Sequence, residues 1–423
     1  RPPSFVSMSG PGLELHAQGD LCGARRTQRV GPGLTATQRD ARVGAVYGTT
    51  EYPNKVYVFA EYKRFLGGVD IYGTQDTYLA TRNLPVYTIF GQSMDGLIEF
   101  EDRDGNGTLN FHALNDTRLN DVPVKATRMV TAWSATEPTT EAVGDTTWVN
   151  FTVYTENLGY GLVWDRVQHR IRLGTPADGA VERLAFTFHL RINIREFSGE
   201  VPWWQVTVDQ GPPYVVTGIE RIENKTFSGE AVAMGAKYDH AIEGWDFASP
   251  DNLLALETRA FVGHYVPDRV GRFLHFAYHT NATDGGEFRQ RETDMYAERP
   301  TPLTRDVVYF DDNWDRVGRL LWESNVTVDG VDKTMLFQVQ GGEPFGERHG
   351  GAVFAGFAII GAFIYPAGAS IFHDPALEAT SFLWNFPGAL NLTPLTVLAI
   401  QVAIAGIAMG AATLVRARGR RAK

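Results

Sequence analysis

The chain has 423 residues, 21% of them charged and 12% aromatic, with a formal net charge of −10 and one cysteine, Cys22. That length holds one large or two ordinary domains, and the apolar content fits a folded chain rather than a disordered one. The acidic balance argues against nucleic-acid binding, which needs a basic face, and a single Cys excludes both an intrachain disulfide and a Cys-cluster metal site.

Residues 1–45 are rich in Gly, Pro, Arg and Gln with weak periodicity, and they read as an irregular entry. The first residue is Arg1, not Met, so a segment upstream is expected, a cleaved leader or the remainder of a truncated reading frame. Strand signals start at Val56–Lys63, where β-branched and aromatic residues dominate. Further strands are expected at 86–91, 97–101, 127–133, 147–155, 214–221, 253–263, 272–279, 306–310 and 334–339.

The clearest strand is Leu184–Ile194. Leu184, Phe186, Phe188, Leu190, Ile192 and Ile194 share one face, and Thr187, His189, Arg191 and Asn193 share the other. A strict period of two over that length predicts a strand with one wet side, which an antiparallel sheet tolerates. Turn chemistry stands at Asp178-Gly179, Asn281–Gly286 and Asp329-Gly330. The expected fold is all-β, with one large or two packed antiparallel β-sandwiches followed by a C-terminal transmembrane helix. The polar segment Ser134–Asp145 is the natural boundary between a β-domain at 46–135 and a β-sandwich at 146–390.

Between two of these strands runs Asp102-Arg103-Asp104-Gly105-Asn106-Gly107-Thr108-Leu109-Asn110. Oxygen donors at positions 1, 3 and 5, Gly at 6 and an aliphatic residue at 8 resemble the calcium loops of EF-hands and dockerin-type repeats. The spacing has a chemical reason. Alternate residues of a tight loop turn their oxygens inward, Gly107 permits the bend, and the Thr108 carbonyl occupies the seventh position. Leu109 is expected to pin the loop to the core. The resemblance implies a structural Ca²⁺ held by Asp102, Asp104, Asn106, Thr108 and Asn110. Ala113 stands where the bidentate Glu belongs, so Glu101 or Glu99 is the expected replacement. A polar Asp-Gly-Asn-Gly hairpin turn is the plainer alternative.

Other constellations are weaker. Asp311, Asn313 and Asp315 repeat the oxygen alternation, but Arg316 replaces the turn glycine. Asp239, His240, Glu243 and Asp246 flank Trp245, a mixture seen where carboxylates beside a Trp bind or cleave sugars. Trp203-Trp204 places one ring in the core and one outside. His275 and His279 lie four residues apart on a strand-like segment, too far apart for one metal.

Seven of the asparagines begin an Asn-x-Thr triplet, far more than composition gives, which points to an exported, glycan-bearing surface. Asn115, Asn150, Asn224, Asn281 and Asn325 are the candidate glycosylation sites; Asn106 doubles as a loop ligand, and Asn391 abuts the apolar run that follows.

Leu395–Val415 carries no charge, and Arg416, Arg418, Arg420, Arg421 and Lys423 follow it. As a helix it is about 30 Å long, the thickness of a hydrocarbon core, and the basic cluster marks the cytoplasmic side. The expected topology is a transmembrane helix at 394–415, a cytoplasmic tail at 416–423 and a large extracellular N-terminal region. Ala352–Phe372 is equally uncharged and reads either as a second span or as a buried strand pair turning at Tyr365-Pro366. One span satisfies both the basic tail and the sequons.

Arg outnumbers Lys heavily, and with the Asn-x-Thr usage and the Asp-Gly-Asn-Gly loop the chain resembles archaeal cell-surface proteins in general style. The implied role is a membrane-anchored, calcium-stabilised surface glycoprotein that binds or scaffolds through surface proteins or glycans. Two alternatives stand beside it. One is a carbohydrate-active sandwich using Asp239, Glu243 or Asp246; the other is an accessory membrane subunit with a helical hairpin at 352–372 and 395–415.

Overall fold

The computed structural model describes residues 5–9, 14–18, 33–38, 41–73, 78–110, 121–143, 146–165, 168, 170–208, 216–267, 276–280, 301–303, 307–312, 316–349 and 352–383. Among these, every regular element is a strand except the one-turn 3-10 helix Pro176–Asp178. The protein is all-β, and its strands pair antiparallel apart from two short parallel ladders.

One layer runs from Gly33–Gln38 through Ala41–Val46, Val56–Gly73, Tyr78–Glu101, Leu253–Pro267 and Ala352–Pro366 to Leu336–His349. The other runs from Thr139–Val143 through Thr146–Gly159, Ala180–Val208 and Val216–Glu243 to Ser370–His373 and Ala376–Leu383. A parallel ladder between Trp203–Val208 and Gly68–Gly73 joins the two.

Period-two alternation explains which faces meet. Leu184, Phe186, Phe188, Leu190 and Ile192 are all buried, while Thr187, His189 and Arg191 remain half-exposed. Across the interior stand Val58, Ala60, Tyr62, Phe90, Met94 and Leu256 of the first layer, in one continuous core. Fully burying a side chain of this kind contributes about 1.5–3 kcal/mol, so the facing rows dominate the stability of the sandwich. The expected units 46–135 and 146–390 both contribute to this core. Residues 134–135 and 139–143 are themselves strands on Thr146–Gly159. Within 1–45, where an irregular entry is expected, Ala41–Val46 begins a strand with Ala41, Val43 and Ala45 packed inward.

The uncharged stretch Ala352–Phe372 is not a helix, which corrects the helical-hairpin alternative. Ala352–Pro366 is a strand with Leu253–Pro267 on one side and Leu336–His349 on the other. Phe357, Ile359, Phe363 and Tyr365 face the main core, while Ala362 and Ile364 pack outward against Phe100 and Leu109. A central strand covered on both faces has no use for a charge. After Pro366 the chain crosses to the other layer, where Ser370–His373 pairs with Val216–Glu243. No helix among the described residues is long and apolar enough to cross a membrane; the expected span at 394–415 and the tail at 416–423 lie outside the described residues.

Candidate metal centre

Tyr78–Glu101 ends at the rim of the sandwich, and the loop 102–110 folds back over the outward face of the first layer. Its shape follows from short polar side chains bonding to the backbone just ahead of them. Asp102 accepts from Gly105 N at 2.9 Å through Oδ1 and from Gly107 N at 2.8 Å through Oδ2. Asp104 accepts from Asn106 N at 3.1 Å and from Asn106 Nδ2 at 2.6 Å. Asn106 Oδ1 in turn accepts from Thr108 N at 2.7 Å and from Thr108 Oγ1. Gly105 and Gly107 sit at φ of +69° and +73°, which a side chain resists.

Two contacts fix the far end of the loop. Leu109 is buried among Phe100, Ala255, Ala362 and Ile364, as the sequence predicts. Its backbone makes a two-way clasp with the Gln338 amide, N–H to Oε1 at 2.6 Å and C=O from Nε2 at 2.8 Å.

The third carboxylate is Asp121. It accepts from Arg103 N at 3.1 Å and Asn110 N at 2.6 Å, and its own N–H donates to the Asn110 carbonyl at 3.1 Å. Each of Asp102, Asp104 and Asp121 offers a carboxylate oxygen, and these oxygens all lie within 4.8 Å of one another. Burial first, and then the charges of Asp104 and Asp102, push Asp121 up to about 6 against the two backbone N–H groups it accepts. Asp104 is likewise raised, by burial first and then by Asp102.

The donor set fits a hard cation. A carboxylate has about four lone-pair positions, and each of these three spends two on the hydrogen bonds above, so each keeps capacity facing its neighbours. All-oxygen, multiply anionic donors on a tight loop suit Ca²⁺. Bound there, the ion would neutralise the mutual repulsion of Asp102, Asp104 and Asp121.

The other expected ligands fare differently. Asn106 spends its Oδ1 on Thr108, and Asn110 is tied to Asp121 through its backbone. Glu101 does not join the three: it is 55% exposed and lies 3.5 Å from Arg103. Glu99 is wholly buried and committed elsewhere, accepting from Trp245 Nε1 at 3.0 Å, Ala248 N at 2.8 Å and Asn252 Nδ2 at 2.5 Å, with Lys125 Nζ at 3.8 Å. Asp121 escapes a search that stops at position 12. Its only signal in the sequence is an acidic residue set directly before the strand Val122–Arg128.

No family model and no curated protein matches the chain.

The remaining constellations do not converge. Asp239 lies on the outer face beside His189, at 3.2 Å, whereas His240 points into the core. Glu243 is 3.8 Å from Arg183, and Asp246 is 82% exposed. Trp245 is buried edge-on against Tyr160, so it offers no sugar platform. Trp203 is buried too, its Nε1 donating to Asp70 at 3.1 Å and its ring under Lys225 Nζ at 4.0 Å. His275 and the segment 313–315 fall outside the described residues.

Of the sequon asparagines, Asn224 and Asn325 are exposed, as is Asn106. Asn150 is half-buried, with Oδ1 at 2.9 Å from His189 Nδ1. Asn115, Asn281 and Asn391 lie outside the described residues.

Proposed function

We propose that this chain is the outer part of a membrane-anchored surface glycoprotein, held by a helix at 394–415 with a cytoplasmic tail at 416–423. It serves binding or scaffolding, and calcium at Asp102, Asp104 and Asp121 stabilises it. The observation that carries the calcium reading is the convergence of those three carboxylates at a rim loop anchored through Leu109 and Gln338. The sequons and the basic cluster after an uncharged run support the surface reading. Calcium here is structural: it closes a loop onto the sandwich and leaves the exposed strand faces for partners.

The test is thermal unfolding of the full chain in detergent with excess Ca²⁺ and with a chelator. A ligand that binds only the folded state at 100 times its dissociation constant adds about 2.7 kcal/mol, so calcium should raise the Tm by several degrees. Asp104→Ala and Asp121→Ala should each abolish the rise, while Glu101→Ala should leave it intact. Identical melting with ion and chelator would remove the metal from the account.

A further inference from the structure

Three buried polar groups of the sandwich form a chain from one layer to the other. His240 belongs to Val216–Glu243, Tyr365 to Ala352–Pro366 of the opposing layer, and His373 to Ser370–His373. His240 and Tyr365 are fully buried and His373 almost so. His240 Nε2 lies 2.6 Å from the Tyr365 hydroxyl, that hydroxyl lies 3.1 Å from His373 Nδ1, and His373 Nε2 lies 2.9 Å from the Glu323 carbonyl oxygen.

The direction of each hydrogen follows from the last contact. A carbonyl only accepts, so His373 Nε2 carries a hydrogen, and in a neutral imidazole Nδ1 is then the acceptor. Tyr365 donates to it, and the tyrosine oxygen accepts from His240 Nε2. That assigns His240 Nδ1 as a bare lone pair, and this atom is buried with no hydrogen-bond partner. Around the His240 ring stand those of Phe186 and Phe363, each 6.1 Å away between centroids, and of His373 at 5.1 Å. Tyr238 on the same strand is occupied with Gln92.

We propose that this chain is an acid-sensitive latch between the two layers, closed while both imidazoles are neutral and opened by one proton. A proton on His240 Nδ1 creates a cation with no acceptor in an apolar interior. A proton on His373 Nδ1 turns an acceptor into a donor and strands the Tyr365 hydroxyl hydrogen. The first event keeps the His240 Nε2–H bond to Tyr365 but leaves a buried charge that only opening can hydrate; the second breaks the Tyr365–His373 hydrogen bond between the layers.

Burial holds His240 well below the usual imidazole range, and the charge of His373 adds to this. Burial takes His373 down to about 4, against the Glu323 carbonyl and Asp374. Among the described residues, Asp374 is the carboxylate side chain that bears on the pair. Both histidines titrate at about 6.5 in the unfolded chain. Between that value and the folded one, the unfolded state binds more protons, so stability falls as pH falls through this window and is unaffected above it.

The experiment compares full-length wild type with His240→Gln in urea unfolding from pH 7.5 to 4.5, in one detergent and at constant salt. The glutamine Nε2 can still donate to Tyr365 but takes up no proton. For each such histidine the folded-to-unfolded ratio drops by up to about tenfold per pH unit below 6.5. The variant profile should be shallower by about that factor, since every other titrating group cancels in the comparison. Parallel profiles would overturn the latch. Should the variant not fold, wild type labelled with ¹⁵N-histidine gives the answer alone. Two of the ten imidazoles should be Nε2–H tautomers that stay neutral at pH 5 and gain protons only on unfolding. Titration of all ten near 6.5 in the folded protein would refute it.

Discussion

Glu99 is the most consequential single carboxylate in the described structure, and its removal should cost far more than a surface position would. It has no exposed surface and accepts from Trp245 Nε1, Ala248 N and Asn252 Nδ2, with Lys125 Nζ at 3.8 Å. Those donors stitch the segment 245–252 onto the first layer. Each hydrogen bond to a buried charge contributes about 1.5–3 kcal/mol, but water admitted by the change recovers part of the loss, so the terms do not add. Breaking a buried ion pair by removing one partner costs about 3–5 kcal/mol, which sets the expected range for Glu99→Ala. Glu99→Gln keeps one acceptor oxygen but turns an NH2 toward donors, and should cost about 2 kcal/mol or more. Lys125 Nζ keeps the Asp246 carbonyl oxygen and, at 3.4 Å, its Oδ2, so adding Lys125→Met to Glu99→Gln should lower the stability further rather than restore it. Urea unfolding followed by tryptophan fluorescence measures all three. A loss below about 1 kcal/mol for Glu99→Ala would mean that the network is wet and the reasoning wrong. The calcium response should survive in each variant; its disappearance in Glu99→Gln would return Glu99 to the ligand set.

The strand Ala180–Val208 should tolerate charge on one face only. Phe188→Asp puts an unpaired carboxylate at a fully buried position and should prevent folding, while Thr187→Asp should cost about 1 kcal/mol because Asp239 stands directly opposite; circular dichroism of the purified variants separates the two. Glu257 gives a pH signature of opposite sign to the histidines. Burial, then Asp95, push its pKa up to about 7, against Lys55, Arg259 and Arg128, so the folded state holds a proton that the unfolded state has lost. Stability from this group is full below about 4.5 and lost as pH rises through 7, by at most about 3 kcal/mol. Glu257→Gln should therefore flatten the decline between pH 5 and 8, and an unchanged decline would assign it to other groups.

The parts legible in the sequence are those set by local pattern. Leu184–Ile192 announces both its strand and its buried face because alternation is a property of the strand alone. Asp329-Gly330 announces its turn because both residues adopt positive φ, at 52° and 77°. The loop at 102–110 is legible for the same reason, down to Leu109. What escapes is whatever depends on a distant partner. Strand lengths exceed what local pattern shows: 86–91 and 97–101 are parts of one strand, Tyr78–Glu101, because Asp95 is accommodated as an extra residue opposite Glu257/Thr258 instead of ending the pairing. Glu99 looks like a spare carboxylate until Trp245 and Asn252 arrive from the far side of the chain. Asp239 and His240 look like one constellation, yet strand alternation sends one to the outer face beside His189 and the other into the core.

The loop and the uncharged strand that misleads a hydropathy reading are parts of the same arrangement. The stretch 357–365 of Ala352–Pro366 is apolar on both faces because both are covered, and it needs two different covers. Its inward residues meet the opposing layer. Its outward residues, Ala362 and Ile364, meet Phe100 and Leu109, which flank the Asp102–Thr108 turn. Gln338, on the strand next to it, clasps the Leu109 backbone in both directions. The three carboxylates therefore stand where a local turn lays Leu109 against the outward face of a central strand. Mutual repulsion among Asp102, Asp104 and Asp121 works against that closure, and a cation there would remove it. Read locally, the loop is a motif and the strand a membrane candidate; their contact makes each the reason for the other's composition.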